Sequence, residues 1–295
     1  MLIYRSARSA LQGQLVWHDR AGKQLRAVGD PAAYRQVALS RDEKLIAITG
    51  LASTLANSSL WIVDAVTGAA SRITFGEQEN AVFPIWSPDS KRIVVSRRQG
   101  LTEVVVSTGA TRIVSSDPRV AYPYDWSPDG RYVVCNGGGG RKPMLLAVEG
   151  EGKVQPFIDN QYANRGFRFS PDGKWVVYFS DESGRLEVYV AAFPSLAPKR
   201  QISRDGGSNP SWSRDGKELF FLAPDLTVMA VRIAGIEAGT PQPLFKMKVD
   251  LTAGLQQYEP ARLGDSFLVI DRPPERPTEG VNVIMNWASD LHSSR

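Results

Sequence analysis

Five aspartates recur in near-identical settings along this 295-residue chain: Asp42, Asp89, Asp129, Asp172 and Asp215, each two residues after a serine. Repeated carboxylates could in principle assemble a calcium site, which takes roughly six to eight oxygens around one ion. Spaced 40 to 47 residues apart, they read instead as one turn residue per structural unit, too far apart to share a metal. The two histidines, His18 and His292, have no partner at metal-ligand spacing. Gly137-Gly138-Gly139-Gly140-Arg141-Lys142 resembles a phosphate loop until the next residue: Pro143 stands where Ser or Thr and a helix start are needed. No Gly-x-Ser-x-Gly elbow supports a Ser-His-Asp hydrolase. Tyr122, Tyr124 and Trp126 fall on one strand face, which favours core packing over sugar stacking, with Tyr122 at the strand start within reach of the channel mouth. The sequence therefore predicts no catalytic residue, no metal and no cofactor.

The surroundings of those aspartates explain them. The clearest copies, Trp126-Ser127-Pro128-Asp129-Gly130-Arg131 and Phe169-Ser170-Pro171-Asp172-Gly173-Lys174, are followed by alternating apolar residues. Variants are Trp86-Ser87-Pro88-Asp89-Ser90-Lys91, Trp212-Ser213-Arg214-Asp215-Gly216-Lys217 and Leu39-Ser40-Arg41-Asp42-Glu43-Lys44; a degenerate copy at Pro260-Ala261-Arg262-Leu263-Gly264-Asp265 replaces the Asp by Leu263. Four and six residues after each anchor stand Ile46/Ile48, Ile93/Val95, Val133/Cys135, Val176/Tyr178, Leu219/Phe221 and Phe267/Val269, all apolar at strand period. An Asp that bonds amides two residues on, followed by a Gly tolerating positive φ, closes a tight hairpin. A unit of 40 to 48 residues is the size of a four-stranded propeller blade.

The fold class expected is all-β: a propeller of four-stranded antiparallel blades, one domain over 1–295, its ring closed by N- and C-terminal strands. Units anchor near 42, 89, 129, 172, 215 and 263, and a partial blade covers 1–29, with Leu2 and Tyr4 matching the positions after an anchor. The strands admit six or seven blades, and their count favours seven.

Composition fits a globular domain, 42 % hydrophobic and 22 % charged. The net charge of +4 divides as +5 over residues 1–150 and −1 over the rest, without the basic stripe of a nucleic-acid binder. One cysteine, Cys135, excludes an intrachain disulfide framework. There is no run of 18 apolar residues, and Met1-Leu2-Ile3-Tyr4-Arg5 is too quickly charged for a signal peptide.

The anchors and blade length resemble the WD40-like (PD40) repeats of TolB and its relatives. Leu15-Val16-Trp17-His18-Asp19-Arg20-Ala21-Gly22-Lys23, Ser180-Asp181-Glu182-Ser183-Gly184-Arg185-Leu186-Glu187-Val188-Tyr189-Val190, Glu218-Leu219-Phe220-Phe221-Leu222-Ala223-Pro224-Asp225 and Asn286-Trp287 resemble, more narrowly, the C-terminal propeller region of bacterial membrane-anchored serine/threonine kinases. No kinase motif accompanies them. The resemblance implies a binding module, a sensor or scaffold segment in an extracytoplasmic setting, with a protein, peptide or small polar ligand as partner.

In a propeller the loops entering the innermost strands converge on one mouth of the channel. Here they hold Tyr34, Arg35, Glu79, Asn80, Tyr122, Asn164, Arg165, Asn209, Gln257 and Tyr258, the candidate ligand-binding ring. A propeller glycosidase or lyase is the competing reading, and it has little to work with: Glu79 is the one acid in that ring.

Overall fold

The computed structural model describes residues 2–4, 13–50, 58–74, 81–137, 142–150, 152–248, 257–261, 264–272 and 282–284. They form six four-stranded antiparallel blades, the lower of the two counts the sequence admits. Blade 1 comprises Tyr34–Leu39, Leu45–Gly50, Ser59–Asp64 and Ala70–Arg72; blade 2 comprises Val82–Trp86, Arg92–Arg97, Gly100–Val105 and Thr111–Ser115. Blade 3 runs through Tyr122–Trp126, Tyr132–Asn136, Pro143–Ala147 and Val154–Pro156, and blade 4 through Asn164–Phe169, Trp175–Ser180, Glu187–Ala192 and Lys199–Gln201. Blade 5 is Ser208–Trp212, Glu218–Leu222, Thr227–Ala234 and Gln242–Lys246, with Glu237–Ala238 as a side strand.

Blade 6 explains why counting strands favoured seven. Tyr258–Pro260 and Ser266–Asp271 pair onward with Gly13–Asp19 and Gln24–Ala32, so the two terminal part-blades are one sheet. Val16 faces Val269 and Trp17 faces Leu268 across the seam. Leu2–Tyr4 does not supply the second strand of this blade; it pairs with Asn282–Ile284 instead.

Each innermost strand packs beside the next around the ring, and the core is divided accordingly into six clusters, one per blade interface. The anchor aromatics fill these wedges. Trp86 Nε1 donates to the Ala38 carbonyl of blade 1 (2.9 Å), and Trp212 Nε1 to that of Arg168 in blade 4 (3.2 Å). Trp126 is fully buried and donates to Gly130 of its own hairpin (3.0 Å).

The serine and aspartate of each motif close the hairpin together. In all five copies the serine hydroxyl donates to the aspartate carboxylate at 2.5–2.7 Å. The same carboxylate accepts the amide two residues on, at 3.0–3.2 Å. Burial pushes the carboxyls of Asp42, Asp89, Asp129 and Asp172 up, but these bonds outweigh it, and all five stay below the usual range; for Asp215 the Ser213 bond is the leading cause. The degenerate sixth copy keeps the backbone bonds of this hairpin, Ala261 N to Ser266 O at 2.8 Å and Gly264 N to Ala261 O at 2.9 Å.

Candidate functional site

The six innermost strands line a channel whose two ends are built differently. At the hairpin end, arginines reach across the axis. Arg41 of blade 1 spans to Asp125 of blade 3 (3.0 Å), and Arg214 of blade 5 spans to the Leu39 and Ser40 carbonyls of blade 1 (3.2 and 2.7 Å). Arg168 of blade 4 pairs with Glu259 of blade 6 (3.3 Å) and donates to the Tyr124 carbonyl of blade 3 (3.2 Å). The Arg41–Asp125, Arg214–Ser40 and Arg168–Glu259 struts each bypass an intervening blade, and the space left among them is about 50 Å³, room for a water or two. Burial pushes the Glu259 carboxyl up, opposed by Arg168 and Arg214. Asp125 is drawn further into the layer by the Phe169 amide (2.8 Å).

Above this layer, at the mouth where the innermost strands begin, lies a cavity of about 440 Å³. The innermost strands of blades 1 to 5 all carry a register irregularity there. Such bulges re-aim side chains. Three residues before the motif's aromatic, Phe83, Gly166 and Asn209 adopt positive φ (57°, 64° and 49°), strained for an aromatic residue. Phe83 and Asn209 are held from the neighbouring blades. Gln36 Oε1 accepts the Phe83 amide (2.7 Å), and the Tyr258 hydroxyl donates to the Asn209 carbonyl (2.7 Å). Glycine is required at 166, because a Cβ there would stand 2.4 Å from the Phe179 ring.

The cavity wall combines aromatic faces (Phe83, Tyr122, Tyr124, Phe179), amides (Gln36, Asn136, Asn209) and the guanidiniums of Arg165 and Arg168. The Phe83 and Tyr122 rings lie 4.7 Å apart at 52°. Burial pushes the Tyr124 hydroxyl up to about 12, with Arg165 pulling the other way.

Of the ten candidates, Tyr122, Arg165 and Asn209 are brought together on this wall. Tyr34 is instead buried in the interface between blades 6 and 1, its hydroxyl on the Asp30 carbonyl (2.5 Å). Asn164 is buried and bonds Asn160 and Tyr162; Tyr258 is fully buried in the interface between blades 5 and 6. Gln257 is buried, and half-buried Arg35 lies off the wall. Glu79 and Asn80 lie outside the described residues, as do His292 and 138–141 of the glycine run. Lys142, flanking that run, pairs with Asp159 (2.5 Å).

The strut layer escaped the sequence reading, yet it left a signal. Arg41 and Arg214 replace the proline of the repeat, and Asp125, Arg168 and Glu259 stand directly before the first residue of the motif, where other blades carry Ala38, Ile85 and Ser211. Among the described residues no group of three or more His, Cys, Asp or Glu is placed to hold a metal ion. Among the same described residues no helix is long and apolar enough to cross a membrane.

A protein assigned as TolB from Agrobacterium tumefaciens superposes on the chain with a TM-score of 0.70 at 16 % identity, over 90 % of this chain and 99 % of its own. The chain has the TolB-like six-bladed propeller fold. TolB from Acinetobacter baumannii matches with a TM-score of 0.56 at 15 % identity, over 90 % of this chain and 65 % of its own. An oligogalacturonate lyase solved with manganese shares the fold more distantly (TM-score 0.52, 12 % identity, 91 % and 96 % coverage). In sequence, the TolB-like propeller is 22 % identical over 175 residues to Uncharacterized protein Atu1656 of Agrobacterium fabrum. That match covers 55 % of this chain and 60 % of the relative. No family model matches the sequence.

Proposed function

We propose that this chain works as one non-catalytic propeller unit, a sensor or scaffold segment that receives a peptide or small polar ligand at the mouth of its channel. The observation that carries the reading is a cavity of about 440 Å³ with aromatic, amide and guanidinium groups on its wall, closed below by ion-paired arginine struts. A concave, mainly apolar pocket with a few converging polar groups is the usual form of a ligand site. The TolB-like fold favours an extracytoplasmic setting and a protein or peptide partner. The competing reading, a propeller lyase or glycosidase, requires acids free to exchange protons; Asp125 and Glu259 of the strut layer are each held by an arginine instead.

A thermal-shift screen of short peptides, sugars, nucleotides and metals tests the proposal. A ligand should raise the melting temperature of the wild type and of Arg35→Ala, off the wall, but not of Tyr122→Ala or Arg165→Ala. A ligand that stabilises all four proteins alike would place binding elsewhere and sink the reading.

A further inference from the structure

The mouth cavity is chemically one-sided. Its described lining carries two guanidiniums and three amides but no carboxylate. The two cations differ in what they have left to offer. Arg168 is neutralised from below by Glu259 at 3.3 Å and spends a second donor on the Tyr124 carbonyl. Arg165 is exposed on the wall, and no ion-pair partner faces it among the described residues. Nearby, on the two preceding blades, the tilted rings of Phe83 and Tyr122 form an apolar face, with Tyr122 41 % exposed. Phe83 holds this place through a positive φ secured by Gln36.

An uncompensated guanidinium fork selects a planar anion that can accept two parallel N–H bonds. A phosphate dianion would call for further uncommitted cations, whereas one such arginine matches a single negative charge. Resting on the reading of the mouth as a binding cavity, the geometry points to a ligand that bears a carboxylate joined to a flat apolar group. The acid sits on Arg165 and the flat group against Phe83 and Tyr122. A chain ending in an aromatic residue and a free aromatic acid share this chemistry.

Calorimetric titration with hydrocinnamate against hydrocinnamide, and with N-acetyl-Gly-Phe acid against its C-terminal amide, separates charge from shape and one source from the other. Each acid that binds should do so at least about tenfold more tightly than its amide, as a charge-assisted bond implies. Binding of both acids supports recognition of the shared group; binding of the peptide acid alone supports it with a chain terminus as the source. Arg165→Gln should erase the preference for acid, Arg165→Lys should keep part of it, and Tyr122→Ala should weaken acid and amide alike. Equal affinity for acid and amide in the wild type, or a preference that survives Arg165→Gln, overturns the proposal and leaves the cavity reading standing. If none of the four probes binds at about 1 mM, a level where even weak site binding is detectable, the proposal fails. In that case a hit from the thermal-shift screen that depends on Tyr122 separates this failure from failure of the cavity reading.

Discussion

The two ends of the channel are made by the same six innermost strands and follow opposite rules. At the hairpin end, five Ser-x-Asp turns repeat with nearly the same hydrogen bonds, and arginine struts hold non-adjacent blades together. At the mouth, five strands bulge and the residues at matching positions differ from blade to blade: Gln36, Phe83, Pro123, Gly166 and Asn209. Regularity serves closure of the ring, while departure from it opens a cavity and furnishes its wall. Substitutions at the hairpin end should therefore cost stability, and substitutions at the mouth should cost binding.

The struts give the largest expected effect. Arg168→Met strands the Glu259 carboxylate in a buried site and should destabilise the fold by about 3–5 kcal/mol in urea unfolding. Adding Glu259→Leu should restore most of that loss, since a buried pair replaced by apolar groups is often neutral. A single variant as stable as the wild type would contradict the bracing role.

Next comes the seam of blade 6. His18 Nδ1 faces the Gly22 carbonyl (3.0 Å) and Nε2 faces the Asp271 carboxylate (2.9 Å). Both neighbours accept, and the protonated ring, which donates from both nitrogens, satisfies both of them. Gln24 also donates to Asp271, Phe245 of blade 5 stacks on the ring at 5.9 Å, and Asp19 adds a second negative charge. Burial alone would lower the His18 pKa; the Asp271 and Gly22 bonds and both carboxylates outweigh it and raise it. A raised folded-state value means the stabilisation is full below about pH 6.5, the unfolded value. It is lost as pH rises through the folded value. His18→Gln should cost about 1.5–3 kcal/mol at pH 6 and flatten that part of the pH–stability curve. An unchanged alkaline slope would show that another group sets it.

The motif hairpins come third. Their carboxyls are depressed, so their contribution is present above about pH 4 and is lost as pH falls through the folded values. Asp129 is exposed, and Asp129→Asn should cost about 1 kcal/mol or less. The smallest stability effects belong to the mouth: Tyr122→Ala and Arg165→Gln should stay within about 0.5 kcal/mol of the wild type while ligand binding falls.

This contrast also explains what the sequence revealed. The blades were legible because the hairpin turn, with its Asp in five of the six units, and the two apolar positions behind it are local and recur along the chain. Closure was legible in kind, but Leu15-Val16-Trp17 and Phe267–Ile270 lie about 250 residues apart, and nothing local says that they share one sheet. At the mouth, Tyr122, Arg165 and Asn209 share one cavity because they lie at the beginnings of innermost strands, which loop position could indicate. It could not tell them from Tyr34, Asn164 and Tyr258, since a bulge turns alternate side chains and pattern alone does not show where a bulge falls. The struts were hidden for a further reason: Arg41 and Asp125 meet only because the ring brings blades 1 and 3 to one axis.

The most direct test of the difference between the two ends is a crystal soak of the wild-type protein with a small library of acidic, neutral and basic aromatic fragments. Fragments should lie between Phe83, Tyr122 and Arg165, with the acidic ones prevailing, above an intact strut layer. Fragments gathered at the hairpin end, or a mouth that stays empty while other surfaces fill, would contradict that difference.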